Sequence, residues 1–411
     1  MIMKVWRAVI AASVVAVSVM AGGAGAGGAA AAATAPAPTT PCPPVAGQPT
    51  GGSPAVMVVG DSDSQGSTGD YTWRYWLYEH LVADGVRPHM VGPYNWLYDN
   101  VAGRQGSCAY ANPLFEEAAD ALWGRAMADE VSTIRAEVSR YRPQYLLVLL
   151  GVDDLAFGRT GVAGLEKHLR TFVANARAGS PGVRIVLGTL LPRNNPHSVL
   201  QARITQYNTD LPALAARMST ARSRVVVADD SSAIVPAADY WDGSHPDTDG
   251  QIKIAAGFAD ALAAKFGLGS AYPEPLPKVP PGPGISPILR LTPGNGTISL
   301  AWTSSPGATG YIVFVDNVTS GRGWYRLPYP LKLSQSPWTG AFQKGSTFEI
   351  RLQADKGTAA GAFSNVVTAT LGPSQQADSN PDALAIAAAA LVLFLIGWAV
   401  YAQKGAARAR A

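Results

Sequence analysis

Between residues 53 and 269 short apolar runs alternate with stretches of helical periodicity, and this alternation constrains the fold more than any other feature of the chain. The apolar runs fall at 55–59 (AVMVV), 89–91, 145–150 (YLLVLL), 184–190 and 224–228. Between them, Met127, Val131, Ile134, Val138 and Tyr141 recur every three or four residues, as do Leu200, Ile204, Tyr207, Leu211 and Leu214. That spacing puts each set on one face of a helix. Strands separated by helices predict a doubly wound α/β domain over 53–269, with a mostly parallel five-stranded sheet, right-handed crossovers and helices on both faces.

A chain of 411 residues exceeds what one hydrophobic core organises, and composition breaks where further units are expected. Residues 270–284 are Pro-rich, as a semi-rigid linker is. From 285 to 372 short alternating runs punctuated by turns replace helical periodicity, which predicts a small all-β sandwich. At the N-terminus Lys4 and Arg7 precede an apolar run and then small residues, so 1–35 is expected to be a secretory signal, followed by a flexible linker over 36–52. Near the other end a polar stalk (373–382) leads to an uncharged stretch at 383–402, long enough for a transmembrane helix. Lys404, Arg408 and Arg410 follow it, placing the tail, 403–411, in the cytoplasm. The expectation is a single-pass protein of the cell membrane whose folded domains face outward. A net charge of +3 without a basic run excludes nucleic acid as a partner. Cys42 and Cys108 are too few for a structural zinc site, but export permits a disulfide between them.

In open α/β sheets ligands bind beyond the carboxyl ends of the strands, so the residues there carry the chemistry. After the first strand comes Gly60-Asp61-Ser62, after 145–150 comes Gly151-Val152-Asp153-Asp154, and after the last strand comes Asp242-Gly243-Ser244-His245-Pro246. A serine hydroxyl is a poor nucleophile until an imidazole takes its proton, and the imidazole needs an acceptor to fix its tautomer. Ser62 at one strand end, and Asp242 with His245 three residues apart after the last strand, meet those needs. Of the five histidines, His245 alone combines a strand-end loop with a nearby aspartate. Trp123 and Trp241 flank these blocks and are substrate-binding candidates with Asp61 and Asn194. Tyr71, Trp73 and Trp76 also follow the serine loop, where core packing is the ordinary role of such rings. Arg193, in a strand-end loop, could read a carboxylate or phosphate, although solvation is the ordinary state of such a side chain. No phosphate loop, dinucleotide fingerprint or zinc spacing is present, and no cofactor or metal is expected.

These blocks resemble the SGNH (GDSL-type) serine hydrolases over 53–269, in the order Gly60-Asp61-Ser62, Trp123-Gly124-Arg125, Gly151-Val152-Asp153-Asp154 and Asp242-x-x-His245-Pro246. The resemblance implies a flavodoxin-like sheet, Ser62 as nucleophile, His245 as base, Asp242 as its orienter, and an oxyanion hole built from Ser62, Gly124 and residue 153. The family usually carries Asn at this last position. Asp153 is a departure, because an ionised carboxylate only accepts hydrogen bonds and losing one oxyanion donor costs roughly 10²–10³ in rate. Two remedies are open: Asp154 could raise the pKa of Asp153 and keep it protonated, or Asn194 or Asn195 could donate instead. The segment 285–372, with Trp302, Tyr311 and its closing GAFSNVVTATL, resembles a fibronectin type III module. The sequence therefore supports a membrane-anchored esterase acting on acyl or acetyl esters of a carbohydrate or cell-envelope polymer. A surface protein that binds glycan or lipid without turnover, with the sandwich as a spacer, is the alternative. Phosphodiester hydrolysis is disfavoured by the lack of metal ligands.

Overall fold

The computed structural model describes residues 42–43, 53–115 and 118–373, all within one compact unit. The expected signal and transmembrane stretch lie outside the described residues. Among those described, no helix is long and apolar enough to cross a membrane.

The runs expected to be strands form a parallel sheet. Ala55–Gly60 pairs with His89–Met90 on one side and Tyr145–Leu149 on the other; Arg184–Gly188 and then Val225–Ala228 complete the path. The resulting order, with the first strand second from the edge, is that of flavodoxin-like doubly wound sheets. A sixth strand, Asp120–Ala121, pairs with the end of the first strand through Val59↔Asp120 and Gly60↔Ala121. Its two residues, one a charged aspartate, offer no run that a sequence pattern could register. Val56 and Val58 face one core, with Trp73, Phe258 and Leu262, while Met57 and Val59 face the other, with Leu146, Phe172 and Leu211. Burial on both faces is why these strands read as continuous apolar runs rather than alternating ones.

The all-β segment consists of two antiparallel sheets. Thr297–Trp302 lies between Leu289–Pro293 and Trp338–Ala341, while Gly310–Asn317 pairs with Trp324–Arg326 and Thr347–Lys356. Ala359–Phe363 and Val367–Thr370 both pair with Thr347–Lys356. Ile298, Leu300, Val313, Val315, Ile350 and Leu352 fill the core between the sheets.

The Pro-rich segment does not hold the two modules apart. Pro281 O accepts from Thr248 N at 3.1 Å, Gly284 N donates to Gly69 O at 3.1 Å, and Asn100 Nδ2 donates to Gly307 O at 3.0 Å. The linker lies along the α/β domain, and the sandwich packs directly against it. A disulfide joins Cys42 to Cys108, with 5.5 Å between their Cα atoms, and the Asn95 amide brackets Cys42 by bonding both its N–H and its carbonyl.

Candidate active site

The first strand ends at Gly60, where a Cβ would meet the Ser64 side chain and Leu149 O within 2.8 Å, so the turn that follows can be sharp. Asp61 caps the short helix Ser62–Gln65 by accepting from Asp63 N at 3.0 Å. Ser62 thereby begins a helix at the carboxyl edge of the sheet. Across the cleft, Tyr240 and Pro246 form an isolated bridge that pinches off the intervening loop, and Trp241 N donates to His245 O at 3.1 Å. Within that loop Asp242 Oδ1 accepts from Ser244 N at 3.0 Å and from His245 N at 2.8 Å. Its other oxygen lies 2.7 Å from His245 Nδ1, and His245 Nε2 lies 3.1 Å from Ser62 Oγ. Three residues from two distant chain segments thus form one hydrogen-bonded line. Burial alone would raise the Asp242 carboxyl, but the bonds from His245 and Ser244 and the His245 charge outweigh it and hold the group below its usual range. An ionised acceptor there fixes Nδ1 as the protonated nitrogen and leaves Nε2 free to take a proton from Ser62.

The loops on both sides are tied together. Gln251 accepts from Thr72 N at 2.9 Å and donates to Pro246 O at 3.3 Å. Gln65 accepts from Trp123 N at 2.7 Å, which places the indole with its centroid 4.1 Å from the His245 ring. Trp241 lies 5.7 Å from the same imidazole on a nearly parallel plane, and Tyr98 stacks on Trp123 at 4.3 Å. Trp123, Trp241, Ser62, His245, Ser67 and Asp70 line a narrow cleft. Gly124 adopts φ +80° with nothing within 4 Å of a would-be Cβ, while its neighbour Arg125 points inward to Asp120 (2.5 Å) and Glu130 (2.6 Å). Burial and the Asp120 charge push Glu130 up to about 9, against the pull of Arg125. That buried cluster anchors the Trp123-Gly124 turn.

Asp153 lies in the short helix Val152–Ala156, directly after Gly151 at φ +131°. It is buried, and its Oδ2 has no hydrogen-bond partner among the described residues. Burial first, then the nearby Asp63 carboxylate, push it up to about 6, against Arg193, His245 and Arg159. The expectation that Asp154 supplies this push is corrected: its carboxylate accepts from Met127 N at 2.6 Å and Ala128 N at 3.2 Å, and it is Asp63 that faces Asp153. Asp61 is likewise raised, by burial and then by Asp63 and Asp153. The expectation for Arg193 is corrected too. It is largely buried, donates to Ser244 O at 2.5 Å and Ser244 Oγ at 3.0 Å, and pairs with Asp63 at 3.3 Å. It ties the loop of the base to the helix of the serine. Asn194 is exposed, with its amide against Gly243, and Asn195 caps His197 N; neither is brought to Ser62 by any described contact. Trp73 is fully buried and stacks on Phe258 at 4.6 Å, and Tyr71 and Trp76 pack on each other.

Residues 58–251 match the model of the GDSL-like Lipase/Acylhydrolase family. This segment is an ester-hydrolysing acylhydrolase domain. Among solved structures, the chain is similar to a carbohydrate esterase family 3 protein from Talaromyces cellulolyticus, at 24% identity and a TM-score of 0.44, over 51% of this chain and 97% of that one. It is also similar to the Clostridium thermocellum family 3 carbohydrate esterase, at 21% identity and a TM-score of 0.42, over 52% and 96%. No curated protein matches the chain. The acylhydrolase domain holds no group of three or more His, Cys, Asp or Glu side chains arranged to bind a metal among its described residues.

Proposed function

We propose that the acylhydrolase domain is a serine esterase that removes small acyl groups, acetyl foremost, from a carbohydrate or cell-envelope polymer. The observation that carries this reading is the unbroken line Ser62 Oγ, His245 Nε2, His245 Nδ1, Asp242 Oδ2, with links of 3.1 and 2.7 Å. In this mechanism His245 takes the Ser62 proton as Oγ attacks the ester carbonyl. The ester C–O bond then breaks as His245 returns that proton to the leaving alcohol, and water repeats the sequence on the acyl-enzyme. The N–H groups of Ser62 and Gly124 face the developing oxyanion, and Asp153 adds a donor when it carries a proton.

The small-acyl preference is read from the narrowness of the cleft, which Trp123, Trp241, His245 and Pro246 close around Ser62. Trp123 and Trp241 wall the cleft and pack against the His245 ring. We further infer export and anchoring through segments 1–35 and 383–402. The Cys42–Cys108 disulfide supports an oxidising compartment, and the sandwich is read as a fibronectin type III-like module. The test is to compare p-nitrophenyl acetate, butyrate and octanoate, then acetylated xylan, with the full chain. The reading expects kcat/KM to fall steeply with acyl length and acetate to be released from the polymer; equal or rising rates with longer chains would overturn the small-acyl assignment.

A further inference from the structure

The turn between two sandwich strands, Thr347–Lys356 and Ala359–Phe363, enters the acylhydrolase domain behind the catalytic cleft. Lys356 ends the first of these strands and is 2% exposed. Its ammonium lies 2.5 Å from Asp70 Oδ1, donates to Thr68 O at 3.1 Å, and sits 5.2 Å from the Trp241 ring. Asp70 passes the restraint onward, because its other oxygen accepts from Ser67 N at 2.8 Å and Ser67 Oγ at 3.1 Å. Ser67 and Asp70 both line the cleft with Ser62 and His245.

The next two residues hold the opposite wall. Thr358 N donates to Trp241 O at 2.8 Å, and Thr358 Oγ1 lies 3.1 Å from Tyr240 O and 3.2 Å from Trp241 O. Gly357 adopts φ +57°, and a Cβ there would fall 1.9 Å from Trp241 O, so the backbones touch only because this residue has no side chain. Trp241 N in turn holds His245 O. A buried lysine is costly unless paired, yet this one is spent on a contact between modules at the edge of the cleft.

We infer that Lys356 is a positioning residue, and that the Lys356–Thr358 turn of the sandwich completes the active site by fixing both the Ser67–Asp70 loop and the Tyr240–His245 loop. The inference rests on the serine-esterase reading above. Its consequence is that the sandwich sets the turnover of the domain it touches rather than spacing that domain from another surface.

The test uses the full chain with p-nitrophenyl acetate, at a temperature where circular dichroism shows each variant folded. Lys356→Met/Asp70→Asn removes the pair without leaving a lone buried charge. It is expected to lower kcat about tenfold or more while KM moves less than kcat, as small misplacements of catalytic groups do. Thr358→Val, at an exposed position, removes only the hydroxyl bonds to the two carbonyls and is expected to lower kcat by about threefold, so it carries the test if the double variant fails to fold. Wild-type kcat and KM in a folded variant would overturn the inference. Ser62→Ala in the same series separates the two claims: activity that survives it sinks the esterase reading, whereas activity that dies with Ser62 but ignores Lys356 and Thr358 sinks only the positioning role.

Discussion

The two sides of the cleft are built on opposite principles. On the side of the base, each charge has a partner: Asp242 accepts three hydrogen bonds, two from backbone N–H groups and one from His245. On the side of Asp153, the Asp63 charge acts on Asp153 and each of the two carboxylates keeps a buried oxygen without a hydrogen-bond partner among the described residues, with Arg193 paired to Asp63. The contrast shows in their acidities, since the paired Asp242 is held below its ordinary range and Asp153 is pushed up to about 6. Satisfied hydrogen bonds stabilise the charged form, whereas burial beside a like charge disfavours it. The Asp242 carboxylate is therefore held ionised, whereas Asp153 titrates near pH 6.

The largest effect is expected from the residues of the base side. His245→Ala should lower kcat by about 10⁴-fold, and Asp242→Asn by about 10²–10⁴-fold through loss of the correct tautomer; steady-state rates on p-nitrophenyl acetate measure both. A loss below tenfold in either would mean the hydrogen-bonded line is not the proton path.

A smaller and opposite effect is expected across the cleft. In the proposed oxyanion hole, Asp153 carries a proton to donate below about pH 6; as pH rises through about 6 it ionises and that donor is lost. Asp153→Asn keeps a donor at every pH. The ratio of variant to wild-type kcat should thus be near one at pH 5 and climb about tenfold or more by pH 8; effects common to both proteins cancel in the ratio. A ratio flat with pH would show that Asp153 does not contact the oxyanion.

The adjacent Asp154 sharpens the point by its difference. Because it is fully buried and accepts from Met127 N and Ala128 N, Asp154→Asn puts a donor where an acceptor is needed. It should cost about 1–3 kcal/mol of stability, read from thermal or denaturant unfolding. An unchanged midpoint would remove the structural role assigned to it.

Which of these features a reader can take from the sequence depends on range. The four longer strands of the parallel sheet, Ala55–Gly60, Tyr145–Leu149, Arg184–Gly188 and Val225–Ala228, are legible because the sheet is covered on both faces and they appear as apolar runs. Ser62 stands out because it follows a strand end, and Asp242 and His245 because they lie three residues apart in the segment after the last strand. Arg193 is not, since its partners Ser244 and Asp63 lie 51 and 130 residues away and nothing local distinguishes it from a solvated arginine. Lys356 is hidden for the same reason, with Asp70 lying 286 residues before it. The Pro-rich stretch is read as a separator from composition, and only the packing of Pro281 and Gly284 against the acylhydrolase domain shows the modules in contact.

The central claim is that Ser62 is the nucleophile of an esterase, and hydrolysis of p-nitrophenyl acetate by the full chain beside its Ser62→Ala variant tests it most directly. Ser62 Oγ makes its described side-chain contact with His245 alone, so the variant should fold as the parent does while its turnover drops to background, by about 10⁴-fold or more. Equal turnover in the two folded proteins would contradict the account and place any ester hydrolysis elsewhere on the chain.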